Sequence, residues 1–431
     1  MRILSLSSAG KEEVANALKR PTQNLSLYRE RVRPIIDSVR NGGDKAVLDC
    51  TKKFDGVTLK NSRVSQEDIR NALQKIPKEL LSSISSAKEN ISRFQNEKTL
   101  ITVPIETQSG VVCWREIQPI QNVGLYVPGG TAPLVSTALM LSIPAALAQV
   151  PRIVLCSPPQ KDGKISDPIL AVCALMGIDE VYMIGGAQAI AAMAYGTETI
   201  RKVDKIAGPG NVYVAAAKAE VSIDPDGAAI DMLAGPSELM VIADGSANPS
   251  FVAADLLSQA EHDPSSQVIL LSTSAHLLAA VQEEIADQLK TLPRREIAAV
   301  ALAASVALLI ETTDQAVELA NAYAPEHLSI QLQKPEEILK LICNAGSIFL
   351  GSYSPETVGD YCSGTNHVLP TSGSARVQGG VSVRTFQKVI TVQRLSKEGL
   401  GGLRETATTL ARTEQLEAHA RAVDIRFSDP Q

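Results

Sequence analysis

Residues 180–195 read EVYMIGGAQAIAAMAY: an apolar, partly β-branched run, two glycines, then an Ala-rich stretch. A short apolar run that stops at glycine and gives way to helix-forming residues predicts a strand, a tight turn and a crossover helix of a parallel sheet. The same texture recurs on both sides. Further strands are predicted at 152–156 (RIVLC), 203–207, 239–243 (LMVIA), 268–272 (VILLS), 306–310 and 347–350, with 180–184 among them. Helices are predicted between them at 167–176, 187–195, 249–261, 275–289, 313–323 and 335–342. Pro249 suits a first helical turn, where its missing N–H would be unpaired anyway. The result is two successive α/β units, roughly 115–237 and 238–380, with no sequence repeat at fixed period.

The flanks read differently. From Arg20 to about Gln108 the chain is polar and helix-like, with Val32, Ile35, Ile36 and Val39 at three- and four-residue spacing. One helix is predicted to end near Asn41-Gly42-Gly43. At the other end, Gly399-Leu400-Gly401-Gly402 is predicted as a hinge before a single helix over 403–423.

The 431 residues exceed the roughly 150 of one domain, so more than one packed unit is expected. Hydrophobic residues make up 45% and aromatics 3%, which requires an aliphatic, Ala-rich core. A net charge of −6 lacks the basic footprint of a nucleic-acid binder and leaves small-molecule chemistry as the default. The six cysteines (50, 113, 156, 173, 343 and 362) form no CxxC pair, unlike a thiolate zinc site or a disulfide framework, and a reducing compartment fits. Charged residues interrupt the N-terminal apolar patch before a signal core develops, and Leu134 to Val150 is too short and broken to span a bilayer. A cytoplasmic location is expected.

Chemistry concentrates in a few places. In SQAEHD (258–263), Gln259 and His262 lie three apart and share a helix face. They read either as joint ligands or as a helix end where His262 meets the dipole. Pro325 stops a predicted helix, so Glu326 and His327 emerge at a sharp exit, suited to separate proton transfers or simply to a polar turn. GDYCSGTNH (359–367) places Asp360 and His367 in a loop after a strand, where α/β proteins usually place ligands; an Asx turn would explain it as well. Glu414 and His419 lie five apart on the terminal helix and read as surface residues. Glycine turns at 127–130, 185–188 and 207–211 suit an anion near backbone amides, although none is a true GxGxxG.

Taken together, GLYVPGGTAPLVSTALM (124–140), AGPGNVYV (207–214), DMLAGPSELMVIAD (231–244), ADLLSQAEHDP (254–264), APEHL (324–328) and GDYCSGTNHVLPT (359–371) closely resemble the histidinol dehydrogenase family. The resemblance covers nearly the whole chain, most strongly 115–380. It implies oxidation of L-histidinol through the aldehyde to L-histidine with two NAD, the last step of histidine biosynthesis, and one zinc ion per site. It implies Gln259, His262, Asp360 and His419 as zinc ligands, with manganese or cobalt also acceptable to such a mixed N and O set. Substrate would meet Ser237, His327, His367 and Glu414 as well as the ligand residues, and NAD would meet Tyr126, Gln188 and Asn211. Glu326 and His327 would carry the proton transfers. The implied organisation is an N-terminal helical arm (1–25), a first α/β domain holding the metal (26–125 with 238–380), a second, NAD-side α/β domain (126–237), and a tail (381–431) that crosses to the partner of a homodimer. A zinc hydrolase and a non-catalytic α/β binding protein are the competing classes; the first would turn over without nicotinamide and the second would consume nothing.

Overall fold

The computed structural model describes residues 1–21, 24–96, 103–129 and 133–428. Gly130, part of the glycine turn at 127–130, lies outside the described residues. The chain forms two compact units: Met1–Asn96 with Ile120–Phe386, and Glu97–Pro119 with Gln387–Gln431.

The first unit opens with β1 (Arg2–Ser5), α1 (Lys11–Ala17) and three helices, α2 (Leu25–Phe54), α3 (Gln66–Lys75) and α4 (Lys78–Gln95). The 1–25 arm is therefore not purely helical, because the apolar start pairs in parallel with a later strand. Nor does a helix end at Asn41-Gly42-Gly43: α2 runs on to Phe54 across a kink at Gly43, where φ is +54°. Glycine suits that backbone, which L side chains rarely adopt, and the Glu198 carboxylate beside it caps Asp44 N–H at 2.7 Å.

After β2 (Ile105–Gln108) and β3 (Val111–Pro119), which belong to the second unit, come β4 (Asn122–Tyr126), α5 (Val135–Leu147), β5 (Arg152–Ser157), α6 (Asp167–Met176), β6 (Glu180–Met183), α7 (Gly186–Tyr195), β7 (Lys205–Ala207), α8 (Val212–Ile223) and β8 (Ala229–Ile230). These strands form a five-stranded parallel sheet in the order β6-β5-β4-β7-β8. Alternating side chains feed two cores. Val123 and Leu125 face α3 to α6, whereas Tyr126, Val154 and Cys156 face α2, α7 and α8. The helices of 25–96, grouped above with the 238–380 half, reach that half where Asn90 Nδ2 of α4 donates to Cys362 O at 3.0 Å, and they also cover this sheet. Their apolar faces, such as Val32, Ile36 and Val39, complete its layers.

The second half contains β9 (Glu238–Ala243), α9 (Pro249–Ala260), β10 (Gln267–Ser272), α10 (Ala275–Gln288), α11 (Arg295–Ala303), β11 (Val306–Leu309), α12 (Thr313–Tyr323), β12 (His327–Gln331), α13 (Glu336–Leu339), β13 (Ser347–Leu350) and α14 (Glu356–Tyr361). The strands and β1 form a six-stranded parallel sheet ordered β1-β11-β10-β9-β12-β13. Leu239 and Val241 face α9 to α11, and Met240 and Ile242 face α1 and α12. Both sheets are doubly wound, as the alternating texture predicts.

The second unit pairs β14 (Gln387–Leu395) antiparallel with β3, and β3 with β2, followed by α15 (Lys397–Thr413) and α16 (Glu417–Asp424). The predicted hinge at 399–402 is instead inside α15, whose N-cap Ser396 accepts from Gly399 N. The predicted single helix breaks at Gln415, where φ is +61°.

One buried ion pair fastens the five-stranded sheet. Lys218 of α8, 2% exposed, holds the buried Asp231 carboxylate and donates to Gly208 O at 2.9 Å, while Asp231 accepts from Gly208 N at 2.7 Å. Removing one partner of such a pair strands a buried charge. Lys218→Met should lower unfolding free energy by about 3–5 kcal/mol in denaturant melts, and adding Asp231→Asn should recover part of it; a single-variant loss under about 1 kcal/mol would contradict this role.

Candidate functional site

The chemistry-bearing residues of the second half meet at the amino ends of β9 and β12, not at the carboxyl ends where open α/β sheets usually bind ligands. His327 is the first residue of β12, in register with Leu239 and Ser347, which brings it beside Glu238 at the start of β9. Its Nδ1 lies 3.0 Å from Glu238 O. A carbonyl only accepts, so Nδ1 carries a proton; Nε2 is buried without a hydrogen-bond partner.

Three carboxylates surround this ring: Glu326 at 3.6 Å, Glu356 at 3.7 Å and Asp360, 3.6 Å from Nε2. Burial alone would lower the basicity of His327, but Glu356, Glu326 and Asp360 outweigh it and raise it well above the ordinary imidazole value. Burial pushes Glu326 up to about 7, against the pull of His327 and of the Glu238 N–H that its Oε2 accepts at 2.9 Å. Glu356 also rises through burial. Burial opposes ionisation of Asp360 as well, yet His327, His367 and His262 hold it below the usual carboxylate range.

Around this core, Gln259 of α9 is fully buried and neither amide atom has a partner. His262, just past the end of α9, is exposed and acts electrostatically on Asp360. His367 Nδ1 lies 2.8 Å from Asp360 O, and its Nε2 lies 3.1 Å from Thr137 Oγ1 of α5. With Asn366 Nδ2 donating to Met140 O at 2.7 Å, this ties the two sheets' layers together. Ser237 is half-buried immediately before β9.

His327, Glu356 and Asp360 have ligand atoms within 4.8 Å of one another and form a group able to hold a cation. Asp360 also belongs to the ligand set implied by resemblance. Glu414 and His419 are exposed residues of the second unit, on either side of the break between α15 and α16, and the cluster described above is built from first-unit residues. Glu356 escaped the sequence reading. The available signal was its four-residue spacing from Asp360, which puts two carboxylates on one helical face where like charges repel and a ligand is the usual reason to tolerate them.

The other half carries a cavity of about 610 Å³ at the carboxyl ends of its strands. Tyr126, Gln188 and Asn211 all line it, with Asp55, Gly129, Ser157 and Pro158. It lies at the topological switch point, because β5 and β6 continue on one side of β4 and β7 on the other. Tyr126 Oη accepts from Gly186 N at 3.0 Å, and Asn211 caps α8 by accepting from Tyr213 N and Val214 N. No helix among the described residues is long and apolar enough to cross a membrane.

The family model for histidinol dehydrogenase matches residues 18–427. A histidinol dehydrogenase of Aliivibrio fischeri is 50% identical over 429 residues, covering 99% of this chain and 97% of that one. One of Bacteroides thetaiotaomicron is 50% identical over 418 residues, 97% of each chain. A crystal structure of histidinol dehydrogenase from Elizabethkingia anophelis superposes with a TM-score of 0.95 at 45% identity, covering 99% of this chain and 98% of that one.

Next to the cluster, Asp255 of α9 accepts from Gln331 Nε2 at 2.8 Å, and burial pushes its carboxyl up to about 7. In the unfolded chain it ionises near 4. Between about pH 4 and 7 the folded chain therefore retains a proton that the unfolded chain has lost, so stability falls as pH rises through that window and levels off above it. Asp255→Asn removes this titration. Its stability relative to wild type should rise from pH 5 to pH 8, by at most about 4 kcal/mol; a difference independent of pH would contradict the assignment.

Proposed function

Starting from the chain's membership of the histidinol dehydrogenase family, we propose that it oxidises L-histidinol through L-histidinaldehyde to L-histidine in two NAD-dependent steps at a zinc site, in the cytoplasm. The observation that carries this reading is the buried His327 with its unpartnered Nε2, ringed by Glu326, Glu356 and Asp360, beside a buried Gln259 amide that nothing in the fold satisfies.

Those residues fit a metal. A fully buried amide with both polar atoms unpartnered costs on the order of 1–3 kcal/mol per unsatisfied group, a cost that a coordinated cation offsets. Gln259 Oε1, His262 and Asp360 would hold it, completed by His419. Both His419 and Glu414 are exposed on the second unit, which suits delivery to the site of a second copy in a homodimer. When bound, zinc supplies a Lewis acid and a template for the imidazole and amine of histidinol, and NAD accepts the hydride.

The residues of the chain do the rest. His327 Nε2, oriented by the Glu238 carbonyl at Nδ1, takes the alcohol proton as hydride departs and the carbonyl forms. Asp360, were it to ligate the cation, would pull less on His327, while Glu356 and Glu326 would still raise its basicity. Glu326, with one oxygen anchored by Glu238 N–H, uses the other to deprotonate the water that adds to the aldehyde. The resulting hydrate loses a second hydride and proton to give the carboxylate. Ser237, His367 and Glu414 contact substrate. Tyr126, Gln188 and Asn211 line the dinucleotide cavity, and Thr137, in the first turn of α5, links that half to His367.

Two consequences are measurable. Zinc-loaded protein with L-histidinol should release two NADH per histidine, losing activity to a chelator and regaining it with zinc; folded, zinc-loaded protein that reduces no NAD would end this reading. Glu326→Gln should slow oxidation of the aldehyde by about 100-fold or more, as expected for loss of a general base, and the alcohol step by only a few-fold. Equal losses in the two half-reactions would remove Glu326 from water activation.

A further inference from the structure

The cavity in the five-stranded half is chemically one-sided. Among its described lining residues there is no lysine or arginine, and Asp55 is the one charged side chain. A dinucleotide with an extra phosphate needs a cation where that phosphate sits, whereas ribose hydroxyls need an acceptor. Building on the dinucleotide reading above, we infer that Asp55 selects NAD over NADP by accepting the hydroxyls of the adenosine ribose and repelling a 2′-phosphate.

Three observations place Asp55 for this. First, its backbone is fixed. It is the C-cap of α2, its N–H bonds to O of the fully buried Thr51 at 2.9 Å, and α2 packs on α7 and α8. A helix carboxyl terminus also adds negative potential, which further disfavours a phosphate. Second, its side chain has capacity to spare. Gln188 Nε2 is 3.4 Å from Oδ2, a long contact, and no other hydrogen bond to the carboxylate is present among the described residues. A carboxylate has about four acceptor positions, so hydroxyl donors from a ligand have places to bind. Burial already raises the Asp55 carboxyl, a cost those donors relieve. The nearby cation, Lys53, is exposed and sits over the ring of the lining residue Phe54 at 5.1 Å, without itself lining the cavity.

Third, the two faces of the sheet assign the two ends of the ligand. Pro133 lines the cavity and leads into α5, whose Thr137 touches His367 beside the reacting centre, so the nicotinamide end belongs on the α5 face. Helix α2 covers the opposite face with α7 and α8. A dinucleotide crossing the carboxyl edge of the sheet from α5 therefore brings its adenosine ribose to Asp55.

The test is calorimetric binding of NAD, NADP and NAD lacking the adenosine 2′-hydroxyl, without histidinol, to wild type and Asp55→Asn. Wild type should bind NAD at least about 100-fold tighter than NADP, and Asp55→Asn should compress that ratio below about 10. The deoxy compound should bind wild type about 10-fold more weakly than NAD, a comparison that needs no variant. Equal affinities of wild type for NAD and NADP, no penalty for the deoxy compound, or an unchanged ratio in an Asp55→Asn protein of wild-type melting temperature would each overturn the inference. Wild-type protein that binds no dinucleotide at all would instead sink the dinucleotide reading on which the inference rests.

Discussion

A single buried glutamate holds the six-stranded half in place. Glu238 begins the central strand β9, is 3% exposed, and bonds to three separate segments of the chain. Its carboxylate receives Arg20 from the N-terminal segment and Ser372 N from the far side of the cluster. Its N–H anchors Glu326 and its C=O accepts from His327. Arg20 is itself clamped, with its guanidinium 3.7 Å above the Tyr323 ring and bonded to the carbonyls at 323 and 324. Parallel strands expose unpaired backbone groups at their ends. Here that loose edge has become the scaffold that orients Glu326 and His327 through main-chain bonds, which bend less than side-chain contacts.

Much of the architecture was legible because several predicted strands are aliphatic runs buried on both faces and bounded by turns. RIVLC, LMVIA and VILLS leave no alternative period once the following Ala-rich helices are counted. Local pattern failed where tertiary contact decides. The break at Asn41-Gly42-Gly43 became a kink because α2 gains more by continuing across the sheet's helices than it loses at Gly43. The glycines at 399–402 read as a hinge, but Gly399 is wanted for its lack of a side chain: its Cβ would strike the Gly110 backbone, so the helix can approach the β2–β3 turn.

The site was legible in its residue types and obscure in its geometry. Pro325 announced the exit at Glu326 and His327 correctly, and α9 does end with Gln259 and His262 near one another. Yet nothing local says that β12 begins at His327, so that the pair faces the amino edge of the sheet. Strand order decides that, by setting β9 beside β12 and therefore Glu238 beside His327. Thr137 was invisible for the same reason, since its partner His367 lies 230 residues after it in the chain.

The distribution of unsatisfied polar atoms gives the functional argument its physical footing. Folded chains satisfy nearly all buried polar groups, because an orphan costs as much as several good contacts return. The described residues that break this rule include Gln259, His327 and Glu356, gathered with Asp360 at one edge of one sheet, and Gln331, which reaches the same region through Asp255. In the five-stranded half the comparable buried groups, Lys218 and Asp231, are fully paired. Two sheets of the same doubly wound design therefore differ in what they leave undone. The five-stranded half pairs its buried charges, leaves the Thr51 and Ser166 hydroxyls without partners, and offers a cavity at its carboxyl edge. The other leaves an imidazole nitrogen, an amide and a carboxylate oxygen without partners at its amino edge, polar groups that the proposed cation and substrate would satisfy.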